Sequence, residues 1–285
     1  MDNSVCKICG SSKLTTVAHT ARCGDCGVLL YWPYPKTDEE LLREEGKPFP
    51  GKGARDWYSR SSFYNHTNFT NMLRFTLDDS FKDRTIDILD YGGGAGQFAL
   101  VCRSHFLDAT IYITDISDAA LLDEFRPLNT QIPFAQFADD RTTFDAIFLN
   151  DVFEHVSDPV FVLKQLAGKL KPDGRIFIDT PRQFWIYPAT RLLAKRLHTK
   201  VLNGTVSPAH LQIWTKPAFE LVVRKAGLAI ARYEEAGEYT MPADYYVHHM
   251  GLQSPLTRRA ARLFYSQAKY IARNKILCVL TPGRV

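Results

Sequence analysis

No stretch of the 285 residues comes near the roughly 20 consecutive apolar residues that a membrane span needs. The N-terminus, Met1-Asp2-Asn3-Ser4, has charged and polar residues where a secretory signal would have its apolar stretch. A transmembrane protein is therefore not expected, and a cytoplasmic location is. Nor is there a block of charge of one sign: 35 Lys and Arg stand against 31 Asp and Glu, spread along most of the chain. The net charge of +4 fits a solvated mixed surface, with no tail for nucleic acid. Cysteine is scarce at six, and without a secretory signal a disulfide framework is not expected. The composition is otherwise that of a globular protein, long enough for one large α/β domain and a small appendage.

Four of the six cysteines form two C-x-x-C pairs, Cys6/Cys9 and Cys23/Cys26. Each such turn presents two thiolates to one ion, each pair is followed by a glycine (Gly10, Gly27) that relaxes the turn, and two turns complete a tetrahedral four-thiolate zinc site. A redox dithiol is the competing reading, but it needs only one pair, set at the head of a thioredoxin-like helix. His19 lies between the pairs as a spare ligand. With all four positions filled by protein, such a zinc is structural, folding a segment too small for its own core. The segment closes in the strand-like run Val28 to Trp32, stopped by Pro33 and Pro35, so residues 1–36 read as a zinc-ribbon-like module. Cys102 and Cys278 fall in apolar runs and read as core.

Residues 37–84 read as a linker and an aromatic-rich lid. Thr37 caps an acidic helix start at Asp38-Glu39-Glu40, and Gly46 to Gly53 has the glycine and proline of a connecting segment. Asp56 to Phe81 lacks a breaker and reads as helical, with Tyr58, Tyr64 and His66 either in the core or over a substrate pocket.

Residues 85–285 carry the strongest functional signal. The strand Thr85 to Asp90 runs into Tyr91-Gly92-Gly93-Gly94-Ala95-Gly96 and then a helix from about Gln97 to Ser104. Glycine lets backbone approach a ligand closely, and a helix N-terminus offers free N–H groups to its polar end. A second strand, Thr110 to Thr114, ends at Asp115, nineteen residues after Gly96, where a carboxylate can accept both ribose hydroxyls of an adenosine. An adenosine-containing cofactor is expected. A dinucleotide fingerprint would want glycine where Gln97 stands. A nicotinamide dehydrogenase, the alternative, should also close its sheet with a parallel strand, whereas the last two strands here, Ile230 to Tyr233 and Lys275 to Leu280, flank a long helical insertion.

The segment Asp90 to Gly96 resembles the cofactor loop of class I S-adenosylmethionine-dependent methyltransferases, and Phe144 to Val156 resembles the strand and turn that cover the cofactor in that family. Leu170 to Ile178 is similar to the turn into its fifth strand, and His210-Leu211-Gln212-Ile213-Trp214-Thr215 to its His-Leu-x-x-Phe-Thr segment. Ala218 to Gly227 reads as an amphipathic helix capped by glycine. The resemblance implies a Rossmann-like α/β fold, a seven-stranded methyltransferase sheet with helices on both faces. It further implies that Tyr91, Gly92, Gly94 and Gly96 lie along the methionine part of S-adenosyl-L-methionine, Asp115 holds its ribose, Ile116 and Ala138 (or Asp139) flank its adenine, and Asn150 offers backbone near the sulfonium. Asp151, Glu154 and His155 read as a charged, capped helix start, with His155 a secondary catalytic candidate.

A four-cysteine module ahead of this domain also resembles the zinc-bearing deoxysugar C-methyltransferases and related surface-polysaccharide enzymes, in which a segment similar to Arg55 to Ser62 covers the sugar. Those enzymes place Glu-His where this chain has Ala209-His210, and they carry a further C-terminal domain. Both departures favour an O-methyltransferase acting on a sugar or glycan hydroxyl over a C-methyltransferase of a nucleotide-linked deoxysugar. A methyltransferase of small molecules or lipid intermediates remains a second possibility. Methyl transfer needs the acceptor oxygen aligned and its proton removed, so His210 is the candidate general base, with Tyr58 and Tyr64 as pocket walls. The insertion Pro255 to Asn274 reads as a basic amphipathic helix, either packed on the domain or receiving an acidic acceptor or a peripheral lipid surface.

Overall fold

A computed structural model describes residues 4–17, 19–34, 66–81, 84–117, 120–183, 210–237, 243–244, 247, 254–271 and 273–283. Tyr58, Tyr64, the cap at Thr37 and the 46–53 segment lie outside them.

Seven strands form the main sheet: β4 (Asp87–Tyr91), β5 (Thr110–Thr114), β6 (Thr130–Gln131), β7 (Phe144–Asn150), β8 (Leu170–Pro181), β10 (Leu228–Ala236) and β11 (Lys275–Pro282), in the order β10-β11-β8-β7-β4-β5-β6. The pairs from β8 to β6 are parallel, and β11 runs antiparallel to both its neighbours. The sheet thus closes with an antiparallel strand, not with the parallel strand expected of a nicotinamide dehydrogenase. It is the seven-stranded sheet that the resemblance implied.

Parallel strands buried on both faces are apolar along their whole length, and the period of two divides them between two layers. Leu89, Ile147, Leu149 and Ile178 face one core, shared with α4 (Pro159–Ala167) and α5 (Lys216–Lys225). Ile88, Ala146, Phe148 and Phe177 face the other, shared with α1 (residues 66–76) and α2 (Phe98–His105). Asp158 and Thr215 cap α4 and α5 by accepting from Phe161 and Ala218 amides, each with proline in the first turn. The aromatic-rich stretch is thus helical over 66–76, with Phe69 edge-on to Phe98 and Phe75 edge-on to Phe177. Cys102 and Cys278 are buried in the core. The segment Asp151 to His155 is a turn and not a helix start; helix resumes only at Pro159.

A second, antiparallel sheet has the order β1-β2-β3-β9, from β1 (Leu14–Val17), β2 (Thr20–Cys23), β3 (Leu29–Tyr31) and β9 (Gln212–Ile213). Three strands come from the cysteine-rich segment and the fourth from the large domain. Leu29 pairs with Ile213 and Leu30 with Gln212, and Cys6, Ile8, Cys23, Val28 and Leu30 share a core with Phe153, Trp214 and Phe219. The indole of Trp214 stacks on Phe153 at 5.1 Å.

Helix α6 (Pro255–Ile271) fills the insertion between β10 and β11. It leaves Leu256, Leu263 and Phe264 exposed beside Arg258, Arg259 and Arg262, with Arg262 paired to Asp244 at 2.6 Å. Among the described residues, no helix is long and apolar enough to cross a membrane.

Candidate functional site

Strand order reverses at β4, with β5 on one side and β7 on the other, and the crevice at their C-terminal ends is where open α/β sheets bind ligands. Chain leaves β4 through Gly92, Gly94 and Gly96, at φ of 73°, 51° and 82°, a left-handed path that glycine takes without strain. Gly92 is also fixed by space: a Cβ there would lie 2.5 Å from Val152, and one on Gly93 would collide with the Asp90 carboxylate. The Gly92 amide donates to the Thr114 carbonyl at 2.8 Å, tying the loop to β5.

Asp115 follows β5 directly and is brought onto this loop. Its carboxylate accepts from the Gly94 amide at 2.9 Å and from the Ser117 amide at 2.9 Å. Ile116 beside it is 39% exposed, its side chain free for a flat ligand. Asn150 ends β7, across β4 from Asp115. Ala138 and Asp139 follow the short helix α3 (Phe134–Phe137). Tyr91 faces inward, its ring packed on Phe134 and Phe137. Asp90 was not singled out from the sequence. It is buried beneath Gly93, and burial together with the Asp115 charge pushes its carboxyl up to about 7. An acidic residue inside an apolar strand just before a glycine loop is the signal that could have found it.

A second constellation lies at the end of β7. Asp151 takes φ of 52°, the one non-glycine residue at positive φ among those described, and Lys275 holds it at 2.7 Å. The turn that follows brings Glu154 and His155 against His210, the ligand atoms of all three lying within 4.8 Å of one another. The two imidazoles meet edge to face at 5.2 Å. Glu154 is 1% exposed; burial and the charge of Asp151 push its carboxyl well above the ordinary range, and it accepts from Thr180 Oγ1 at 3.0 Å. Backbone fixes the arrangement: the Leu211 amide donates to the Glu154 carbonyl at 2.9 Å, and Gln212 Nε2 donates to Phe153 and Val156 carbonyls at 2.8 and 3.2 Å. The glutamate absent beside His210 in sequence is thus met in space by Glu154.

The four cysteines converge as well. Cys6 and Cys26 sulfurs stand 3.8 Å apart, Cys9 and Cys23 3.4 Å, and all four within 4.8 Å. A tetrahedron with metal–sulfur bonds near 2.3 Å has edges of about 3.8 Å, so the set fits a zinc ion. Each knuckle closes alike: Gly10 and Gly27 take φ of 79° and 77°, and their amides donate to the Cys6 and Cys23 carbonyls. The hydrogen bond with Cys26 lowers the Cys6 thiol to about 5, while that bond and burial push Cys26 up, the behaviour of sulfurs sharing a proton that a cation would displace. His19 stands apart, its ring stacked on Tyr31.

Residues 62–233 match the family described as a methyltransferase domain. The ubiquinone biosynthesis O-methyltransferase of Coxiella burnetii is 23% identical over 194 residues, 63% of this chain and 82% of that protein. The malonyl-[acyl-carrier protein] O-methyltransferase of Halalkalibacterium halodurans is 30% identical over 130 residues, 41% of this chain and 48% of that one. Among solved structures, the plantazolicin methyltransferase BamL in complex with a triazolic desmethylPZN analogue and SAH superposes with a TM-score of 0.56 at 13% identity, covering 87% of this chain and 96% of that one.

Proposed function

Because the chain belongs to the methyltransferase-domain family and is an S-adenosylmethionine-dependent methyltransferase, we propose that it methylates a hydroxyl oxygen, with His210 acting on the acceptor. The observation that carries this reading is the position of His210: the Leu211 amide and the Gln212 side chain that follow it are hydrogen-bonded to the turn leaving β7, and Val152 of that turn lies against Gly92 of the glycine loop.

When bound, S-adenosylmethionine supplies an already activated methyl group. The chain's task is to seat it and align an acceptor. Gly92, Gly94 and Gly96 would let backbone approach the methionine end, and the N-terminus of α2 would offer its free amides to the carboxylate. Asp115, whose carboxylate accepts from the Gly94 and Ser117 amides, would hold the ribose hydroxyls; Ile116 and Ala138 would border the adenine, and Asn150 would offer backbone near the sulfonium. His210 takes the acceptor's proton as the oxygen is methylated, and Tyr58 and Tyr64, outside the described residues, are the residues proposed to contact the acceptor. Residues 1–36 hold a structural zinc through Cys6, Cys9, Cys23 and Cys26, and residues 85–285 carry the transfer chemistry, with 37–84 as linker and lid.

The narrower acceptor is a sugar or glycan hydroxyl, supported by the four-cysteine module ahead of the domain, with the exposed arginines of α6 suiting an acidic acceptor. A lipid-linked intermediate is the second reading, favoured by the relative named for ubiquinone biosynthesis. A screen with labelled methyl donor over sugars, glycans and hydroxylated lipid intermediates separates them. Transfer to nitrogen or carbon acceptors alone would sink the hydroxyl reading. Replacing His210 by alanine is expected to lower turnover about 10²–10⁴-fold while leaving cofactor affinity unchanged. Near-wild-type turnover would remove His210 from the mechanism.

A further inference from the structure

We propose that Glu154, His155 and His210 form a second metal site, which binds a divalent cation of the first transition row and presents it to the acceptor. The inference rests on the hydroxyl-acceptor reading above and changes only how His210 acts within it: through the cation as a ligand, in place of taking the proton directly.

Chemistry and geometry point the same way. Two imidazoles and one carboxylate are borderline-to-hard ligands that suit such cations, and their donor atoms lie within 4.8 Å of one another, the span of ligands around one ion. The set is unlike the four sulfurs near the N-terminus, so the two sites prefer different metals. Glu154 adds an electrostatic argument. Its side chain is 1% exposed, yet among the described residues no lysine or arginine lies within ion-pair distance, and the nearest basic group is His155 Nε2 at 3.8 Å. In its ionised form a side chain so far out of water needs a positive charge beside it, and a cation bound with the two imidazoles supplies one.

The ligands are also preorganised. His210 is 55 residues beyond His155 in sequence, but the Leu211 amide on the Glu154 carbonyl and the Gln212 amide group on Phe153 and Val156 carbonyls clamp its segment to the 153–156 turn. Thr180 Oγ1 donates to the far oxygen of Glu154, orienting the near one towards the histidines. His155 is 38% exposed, so the cluster opens to solvent on its histidine side and leaves coordination positions for an acceptor's oxygens. A hydroxyl bound there becomes more acidic. Its proton leaves to water, its oxygen forms the bond to the methyl carbon, and the carbon–sulfur bonding pair returns to sulfur.

The test uses the full chain with its four-cysteine site zinc-loaded, and Mn²⁺ as probe, because thiolates discriminate against it. Loss of the electron-paramagnetic-resonance signal of aqueous Mn²⁺ reports binding, and calorimetry with SAH reports an intact cofactor site. Wild type is expected to bind about one equivalent. His155→Asn and His210→Asn are each expected to weaken Mn²⁺ at least about tenfold with SAH binding unchanged. His155→Asn alters a part-exposed side chain and serves even if Glu154→Gln fails to fold. A wild-type protein that leaves the Mn²⁺ signal intact, or variants that bind it as tightly as wild type, would overturn the cation. Should His210→Ala still abolish turnover in that case, the proton-accepting reading stands without it.

Discussion

At the scale of single residues, Asp90 shows how the glycine loop is built at the expense of stability. Its carboxyl lies under Gly93 with a folded-state value of about 7 against an ordinary 3.8, raised by burial and then by Asp115. Below about pH 4 both folded and unfolded chains carry the proton. As pH rises from there to 7 the unfolded chain gives it up while the folded one keeps it, so stability is lost across that window. About three pKa units at roughly 1.4 kcal/mol each set a ceiling near 4 kcal/mol on the loss at pH 8. Asparagine has nearly the same shape and no charge. Asp90→Asn is therefore expected to flatten the fall of melting temperature between pH 5 and 8 in the cofactor-free protein. Buried Glu154 shifts in the same direction, so a shallower slope remains. An unchanged slope, measured by thermal unfolding across that range, would show that Asp90 titrates normally.

At the scale of elements, the two-residue strand β9 does more than its length suggests. Gln212 is fully buried: its Nε2 donates to the Phe153 and Val156 carbonyls, and its Oε1 accepts from the Tyr34 hydroxyl. One side chain thus joins the cysteine module, the turn carrying Glu154 and His155, and the segment carrying His210. Gln212→Leu keeps the bulk but leaves buried carbonyls and the hydroxyl without this partner, at about 1–3 kcal/mol for each group not otherwise satisfied. Urea unfolding is expected to show a loss of about 2–4 kcal/mol, with turnover falling further than stability alone explains. Tyr34→Phe, which strips one hydroxyl, is expected to lose about 1 kcal/mol. Equal stability for Gln212→Leu would mean that water replaces the amide. These contacts also show what the sequence made legible. The glycine loop, Asp115 and both knuckles are local: their spacing carries their geometry, and positive φ appears at Gly92, Gly94, Gly96, Gly10 and Gly27. The pairing of β9 with β3 joins residues about 180 apart through two residues each, too short for any periodicity to mark. Glu154 beside His210 depends on the same pairing and on the left-handed Asp151. Each half was visible in sequence, but not their meeting.

At the scale of the whole molecule, the four-cysteine module is joined to the large domain by a shared sheet and a shared core, so metal loss should be felt at the transfer site but not throughout the fold. A segment of some 35 residues has too little core to hold itself, and the zinc proposed for its four cysteines would supply the difference. The main sheet keeps its own support: the layer formed by Ile88, Phe98, Ile111, Phe148 and Phe177 includes none of the module's residues. Stripping the zinc with a chelator is therefore expected to raise hydrogen exchange at the Tyr31 amide, which donates to the Leu211 carbonyl, and at the Leu211 amide, which donates to Glu154. Amides of β4 and β7, in the centre of the seven-stranded sheet, are expected to keep their protection, and SAH should still bind. Turnover should fall nonetheless, because His210 directly precedes the released residues. Exchange that rises evenly across both sheets would instead make the zinc a support of the entire fold. No change at Tyr31 and Leu211 would mean that the module holds its place without metal, and that the clamp on His210 is set by the large domain alone.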